Sequence, residues 1–266
     1  MSPRPNLWPA VKAISLDVST LLTPRHPAPE IYAASAAWAK LPSAPSAQEF
    51  RPALEKALQA HRQSYPCFGH EEGWSSREWW ASVVKATLAN CGRKYPEADT
   101  KRFVRRVYQH YGSSDAFEEL PESKRFLEWA RQQGLSVGVT TNEDLRMVET
   151  VLPMLELHDF FRWFVSAQEV GHQKPDPWIY VEAWREASFW VDGLRREEIL
   201  HIGESYEEDF LGARGAGMQA ILLDRGHSEL KEAEVGPKPE DAESWTLRDL
   251  GEVQELLQQG IIQQLR

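Results

Sequence analysis

The sequence has little cysteine and no long apolar run. Two of its 266 residues are cysteines, Cys67 and Cys91, and their spacing matches neither a metal-binding motif nor a disulfide framework. No segment approaches the roughly 20 consecutive apolar residues that a membrane-spanning helix needs. The opening stretch MSPRPNLWPAVK lacks the apolar core of a secretory signal. We therefore expect no membrane partner and a reducing compartment, which is the cytoplasm, with the nucleus as a further location.

The chain is also short of basic residues. Lys and Arg number 30 against 40 Asp and Glu, so the formal net charge at pH 7 is −10. Because phosphate backbones attract basic surfaces, this balance argues against a nucleic-acid partner. It remains compatible with a small phosphorylated substrate, since a local cationic pocket can lie in an acidic protein. The sequence does not specify an oligomeric state.

Strand and helix patterns alternate through the second half of the chain. Apolar content of 42% and charged content of 26% are ordinary for a globular protein. Five apolar runs have the length of buried strands: residues 11–18, 135–141, 162–166, 199–203 and 219–224. Helical patterns separate the later runs, which predicts βαβ units and a parallel sheet. The expected fold class is therefore α/β, with a Rossmann-like core; a polar stretch at 227–244 predicts a loop.

A long helical stretch separates the first two predicted strands. Within it, Ser75 and Glu78 have the spacing of a capping box, and the apolar residues that follow recur at helical period. We therefore predict an all-helical cap, residues 23–117, inserted into a core formed by residues 1–22 and 118–266.

Polar residues that can carry chemistry follow the carboxyl ends of the predicted strands. They are Asp17, Thr141, Asn142, Lys174, Glu204 and Asp209. In open parallel sheets, ligands bind at this edge. The sequence therefore predicts one polar site, formed by segments that are distant along the chain.

Each of these side chains suits a role in hydrolysis, and each also has a plain structural role. Asp17 can attack phosphorus or carbon and form a covalent intermediate, or it can cap a turn. Thr141 can hold a phosphoryl oxygen or cap a helix. Lys174 can neutralise a carboxylate nucleophile and an incoming anion. Glu204 and Asp209 offer the oxygen ligands that Mg²⁺ prefers.

Four short segments occur in order at these strand ends, namely LDVST, VTTN, KPDP and GESYEED. Together they resemble the four motifs of the haloacid dehalogenase-like superfamily, over most of the chain. The segment SYPCFGHEEGWSSREWW resembles the branch of haloacid dehalogenase-like hydrolase domain-containing protein 3 and its fungal relatives. The resemblance implies a Rossmann-like hydrolase with a helical cap.

The resemblance also implies a role for each matching residue. Asp17 would be the nucleophile, Thr141 with Asn142 would bind the transferred phosphoryl group, and Lys174 would steady the charges between them. A magnesium ion would be held by one group of residues: Asp17, the backbone carbonyl near Ser19, Glu204 and Asp209.

The pattern departs from the superfamily's phosphatases at Ser19. Those enzymes carry a second Asp two residues after the nucleophile, which protonates the leaving group and activates water. General acid–base catalysis contributes about 10²–10⁴-fold, or roughly 3–5 kcal/mol of barrier. Three interpretations therefore stay open: a magnesium-dependent phosphatase without this acid, a 2-haloacid dehalogenase, or a binding protein that has lost catalysis.

Overall fold

The structure, a computed structural model, describes residues 11–226 and 245–264. The predicted loop at 227–244 lies outside these residues. Two compact units make up the chain: the first comprises residues up to Leu22, Glu119–Glu143 and the residues from Glu156 onward, and the second comprises Thr23–Glu118 and Asp144–Leu155. Within the described ranges, no helix is both long and apolar enough to cross a membrane.

A six-stranded sheet forms the centre of the first unit. Its strand order is β5-β4-β1-β6-β7-β8, and each neighbouring pair is parallel. The strands of the chain are β1 (Ala13–Leu16), β2 (Leu22–Pro24), β3 (Phe117–Glu119), β4 (Ser136–Thr141), β5 (Trp163–Ser166), β6 (Ile199–Gly203), β7 (Gln219–Leu223) and β8 (Thr246–Leu247). The predicted parallel α/β core is confirmed, and β2 pairs with β3 in a separate small sheet.

Strand β1 lies in the middle of the sheet, and all four of its residues are fully buried. It is shorter than the predicted 11–18 because the chain leaves the strand at Asp17 and forms a 3-10 turn over Val18–Thr20. In the register, Leu16 lies opposite Val139 of β4 and Ile202 of β6. Asp17 therefore lies at the sheet edge where β4 and β6 also end.

Seven helices have eight or more residues within the described part of the chain. They are α1 (Ala28–Trp38), α2 (Ala47–Ser64), α3 (Ser76–Asn90), α4 (Glu97–Tyr111), α5 (Ser123–Gln132), α6 (Pro177–Ser188) and α7 (Leu250–Gln264). In the first unit, α6 packs on β4 and β5, while α5 packs against β4 and α7. Helices thus pack on the parallel sheet, as strands that are buried on both faces require.

Helices α1 to α4 form the second unit around an aromatic core. Tyr32 meets Phe50 and Phe103 edge to face, with ring centroids 5.6 and 5.9 Å apart. The predicted capping box is confirmed at the start of α3, where Ser75 Oγ accepts from the Glu78 N–H and the Glu78 carboxylate accepts from the Ser75 N–H. Caps of this kind stabilise a helix by about 1 kcal/mol.

Residues 144–155 cluster with the helices of the second unit, whereas the sequence placed them in the core. The physical reason is a polar contact: Asp144 accepts hydrogen bonds from Trp80 Nε1 and from Arg146, whose Nη2 lies 2.6 Å away. The Arg146 guanidinium also stacks on the Tyr108 ring, 4.2 Å from its centroid. That residues 23–117 act as a cap stays a prediction.

Candidate active site

The turn after β1 fixes Asp17 through local hydrogen bonds. Its N–H donates to the Ile202 carbonyl (2.9 Å), which ties it to β6. Its Oδ2 accepts from Ser19 Oγ (2.5 Å) and from the Ser19 N–H (3.3 Å), and its carbonyl accepts from Thr20 Oγ1 (2.6 Å). The Asp17 side chain is still 14% exposed, so its carboxylate is partly open to a ligand.

Lys174 lies buried between two carboxylates. Its Nζ is 2.9 Å from Asp17 Oδ1 and 2.5 Å from Asp209 Oδ1. Burial by itself lowers the pKa of Lys174, but the two negative charges outweigh it and hold that pKa above its ordinary value. The ammonium therefore stays charged and joins the ends of β1 and β6 to the loop that carries Lys174.

Asn142 holds the backbone of that loop. Its Oδ1 accepts from the Lys174 N–H (2.7 Å), and its Nδ2 donates to the Lys174 carbonyl (3.1 Å). Thr141, which ends β4, is fully buried, and its hydroxyl oxygen accepts from the Glu143 N–H (3.2 Å). Both residues lie at the predicted edge of the sheet, and their phosphoryl-binding role stays a prediction.

Asp209 is almost fully buried, and donors surround its carboxylate. Oδ1 contacts Lys174 Nζ and lies 3.1 Å from His201 Nε2, while Oδ2 accepts from the Ser205 N–H at 2.9 Å. Burial raises the pKa of Asp209. The Lys174 charge and the His201 hydrogen bond lower that pKa by more than burial raises it, so the pKa lies below its usual range. The carboxylate is therefore ionised and fixes the position of the lysine.

A buried polar chain continues from Asp209 through the middle of the sheet. Since an ionised carboxylate can only accept, His201 must carry a proton on Nε2. Burial lowers the pKa of His201, and its Nδ1 lies 2.9 Å from Ser15 Oγ. Ser15 Oγ is also hydrogen-bonded to Thr140 Oγ1 at 2.8 Å.

Sequence reasoning missed this buried network. The His201 ring is fully buried. The sequence does hold a signal, because Ser15, Thr140 and His201 are polar residues inside strands that are otherwise apolar. Buried polar groups need partners, so three such residues in strands that lie side by side predict a shared network.

Arg225 is a second residue that sequence reasoning did not single out. It follows β7, and its Nε donates to Glu204 Oε1 at 3.1 Å. Its Nη1 pairs with Glu122 at the start of α5, and its Nη2 donates to the Thr20 carbonyl at 3.0 Å. Glu204, which the sequence assigned to a metal, is thus bound to an arginine.

The carboxylates assigned to magnesium already contact protein cations. Asp17 and Asp209 share the Lys174 ammonium, and Glu204 shares the Arg225 guanidinium. Among the residues that the structure describes, no three acidic, histidine or cysteine side chains are grouped so as to hold a metal ion. As arranged, this donor set does not fit a magnesium cage, because protein cations neutralise its carboxylates.

The sequence is similar to those of several named proteins. Haloacid dehalogenase-like hydrolase domain-containing protein 3 of Bos taurus is 29% identical over 232 residues, which are 87% of this chain and 84% of that protein. The Homo sapiens protein of the same name is 31% identical over 214 residues, covering 80% of this chain and 82% of its own length. Phosphoglycolate phosphatase 1 of Pseudomonas aeruginosa is 28% identical over 133 residues, which are 50% of this chain and 47% of that protein.

Solved structures share the fold at lower identity. A 2-haloacid dehalogenase from Pseudomonas syringae has a TM-score of 0.63 at 21% identity, covering 94% of this chain and 99% of that one. A hydrolase from Bacillus subtilis, solved with bound magnesium, has a TM-score of 0.64 at 16% identity. The match covers 94% of this chain and 99% of that one. The family model described as haloacid dehalogenase-like hydrolase matches residues 11–217. With most of its length matched and the sheet-edge site in place, the chain belongs to the haloacid dehalogenase-like hydrolase family.

Proposed function

We propose that this chain hydrolyses a small phosphorylated substrate through a covalent intermediate on Asp17. The observation that carries the proposal is the position of Asp17. Its carboxylate is partly exposed at the end of the central strand, with the charged Lys174 Nζ at 2.9 Å. Phosphatases among the relatives support the reaction class.

In the first step, a carboxylate oxygen of Asp17 attacks phosphorus. The bond between phosphorus and the leaving oxygen breaks, and that oxygen departs with the bonding electron pair. The Lys174 ammonium offsets negative charge that would otherwise accumulate between the nucleophile and the phosphoryl group. In the second step, water attacks phosphorus of the acyl phosphate, which releases phosphate and restores the Asp17 carboxylate.

Ser19 limits which substrates this site can use. Its hydroxyl donates to Asp17 Oδ2 at 2.5 Å and is too weak an acid to protonate an alkyl leaving oxygen as the bond to phosphorus breaks. A leaving group that departs as a stable anion, such as an aryl oxide, does not need that proton. We therefore expect measurable turnover with activated phosphates and far slower turnover with alkyl phosphates.

Magnesium dependence is a separate part of the proposal. It is supported by the structural neighbour from Bacillus subtilis that is bound to magnesium, whereas the pairing of this chain's own carboxylates counts against it. Because the carboxylates are paired with Lys174 and Arg225, no step above passes through the metal ion. Its requirement is tested directly by the chelator in the experiment below.

A second candidate is hydrolysis of a carbon–halogen bond, which Ser19 itself favours. In that reaction Asp17 attacks carbon and halide leaves with the bonding electrons, so that no proton donor is needed at residue 19. Water then attacks the carbonyl carbon of the Asp17 ester and releases a hydroxy acid. Because Glu204 is paired with Arg225, it does not favour a metal-dependent reaction over this one.

The deciding experiment offers the purified chain an aryl phosphate with magnesium, and separately a 2-haloacid without metal. Asp17→Asn is the test variant. Asp176→Asn is the matched control, because Asp176 caps α6 and pairs with His172 on an exposed part of the same loop. We expect phosphate release that Asp17→Asn abolishes and Asp176→Asn retains.

Each outcome selects one interpretation. Phosphate release that a chelator stops supports the metal-dependent phosphatase, and release that survives the chelator removes magnesium from the proposal. Halide release that depends on Asp17 supports the dehalogenase. A folded protein that releases neither product supports the non-catalytic binding protein and overturns the proposed function.

A further inference from the structure

We propose that Arg225 is a positioning residue that fixes the Asp17 loop, defined as residues 17–21. Its effect on turnover rests on the proposed function, whereas its effect on the loop does not. The role follows from the three segments that one guanidinium joins: the Asp17 loop through Thr20, the start of α5 through Glu122, and the end of β6 through Glu204.

The contact with Thr20 is the direct link to the loop. Thr20 is fully buried, and its carbonyl accepts from Arg225 Nη2 at 3.0 Å. A buried carbonyl that loses its donor destabilises the conformation that holds it, because no water replaces the hydrogen bond. The same residue donates its hydroxyl to the Asp17 carbonyl, so a shift of Thr20 moves the residue that carries the nucleophile.

The two glutamates fix Arg225 in turn. The side chains of Arg225, Glu122 and Glu204 are 15%, 14% and 23% exposed, so the charges interact with limited screening by water. A guanidinium presents five donors in a rigid fork, and here it serves two carboxylates and a carbonyl. A lysine at residue 225 would bring a single ammonium, which cannot repeat all three contacts in one place.

Glu204 is positioned by the same contact. It directly follows β6 and lies beside the loop that leads to Asp209. Arg225 neutralises the negative charge of Glu204, which would otherwise add to the charges of Asp17 and Asp209 at the sheet edge. Glu204 therefore orients loops rather than binding a ligand.

The test compares Arg225→Met and Arg225→Lys with the full-length wild-type chain. Amide hydrogen exchange of residues 18–21 is the readout that does not depend on activity. We expect exchange to speed up by about tenfold or more in Arg225→Met, because local opening becomes easier, and by less in Arg225→Lys. Where wild type turns over an aryl phosphate, kcat should fall about tenfold while KM changes less.

Arg195→Met is the matched control. Arg195 also joins two glutamates, Glu197 and Glu198, and in the described part of the chain neither it nor these partners form an ion pair with the Asp17 loop. It should leave exchange at residues 18–21 unchanged. Glu122→Gln is a milder second variant in case Arg225→Met does not fold, and it should speed exchange of the same amides.

The two proposals can fail separately. If wild type has no turnover but Arg225→Met still loosens residues 18–21, the proposed function fails and the positioning role stands. If a folded Arg225→Met or Glu122→Gln variant keeps wild-type exchange there, the positioning role is overturned. A loss of kcat in Arg225→Met without faster exchange also contradicts it.

Discussion

The Asp209 carboxyl group occupies the space that a side chain at Gly203 would need. A Cβ added at residue 203 would lie 2.1 Å from Asp209 Cγ and 2.3 Å from its Oδ2. Gly203 ends β6, and the chain returns over this strand end to bring Asp209 back against it. The missing side chain at 203 is thus what lets Asp209 reach Lys174 and His201 beneath the sheet edge.

Gly203→Ala should therefore displace Asp209. Overpacking of this kind costs about 1–3 kcal/mol of unfolding free energy. Because Lys174 would lose one of its two carboxylates, any Asp17-dependent turnover should fall as well. Gly215→Ala is the control, since a Cβ there meets none of the described atoms within 4 Å. Equal urea-unfolding curves for the two variants would show that Asp209 accommodates the methyl group.

Removing the buried ammonium should be costly. Lys174→Met leaves Asp17 and Asp209 without their shared cation, and breaking a buried pair in this way costs about 3–5 kcal/mol. The double variant Lys174→Met/Asp209→Asn should recover part of that loss, because one uncompensated charge is gone. The measurement is a double-mutant cycle from urea unfolding. A double variant less stable than Lys174→Met would contradict the assignment of the cost to buried charge.

The acid side of the stability curve should depend on Glu198. Its hydrogen bonds from the Lys12 ammonium and the Arg195 N–H lower the pKa of this carboxyl to about 2. In the unfolded chain the carboxyl titrates with a pKa of about 4.3. The depressed folded-state pKa therefore stabilises the protein above about pH 4.3, and this contribution is lost as the pH falls toward about 2.

Glu198→Gln should accordingly destabilise the protein at neutral pH and differ less from wild type as the solution is acidified. Unfolding by urea at a series of pH values measures this difference. Glu97→Gln, which removes an exposed pair with Lys101, is the control with little effect expected. A gap between Glu198→Gln and wild type that stays constant with pH would disprove the coupling.

Ser19→Asp should raise turnover of an alkyl phosphate if the site hydrolyses phosphates. The new carboxyl group would lie where Ser19 Oγ is now, 2.5 Å from Asp17 Oδ2. Two carboxyl groups at this distance share a proton, so the introduced group can be protonated. Once protonated, the introduced group can donate to the leaving oxygen, and such general acid catalysis raises a rate by about 10²–10⁴-fold. Ser19→Asn matches its size without the acid. An equal rate for both variants would mean that the turn aims the side chain away from the leaving group.

Much of the fold could be predicted because its signals are local. The apolar runs gave β4, β5, β6 and β7 to within about a residue or two at each end, as expected of strongly patterned segments. The capping box at Ser75 and Glu78 depends only on residues within one turn of each other. No local signal could place residues 144–155 with the second unit, because the partners Trp80 and Tyr108 are distant along the chain.

The sequence predicted which residues form the candidate site, but not which ion pairs they make. Asp17, Lys174 and Asp209 meet as expected, since parallel strands bring their carboxyl ends to one edge. The pairing of Glu204 with Arg225 had no sequence signal, because it joins the end of β6 to the residue beyond β7.

The sequence by itself determined five of the strands, β1 and β4 to β7, the start of α3 and the order in which polar residues leave the sheet. These depend on apolar period and on hydrogen bonds within a few residues. The tertiary structure alone decided which cation neutralises which carboxylate: Lys174 for Asp17 and Asp209, and Arg225 for Glu204. Ion pairing depends on distances between separate segments, and strand register and loop path set those distances.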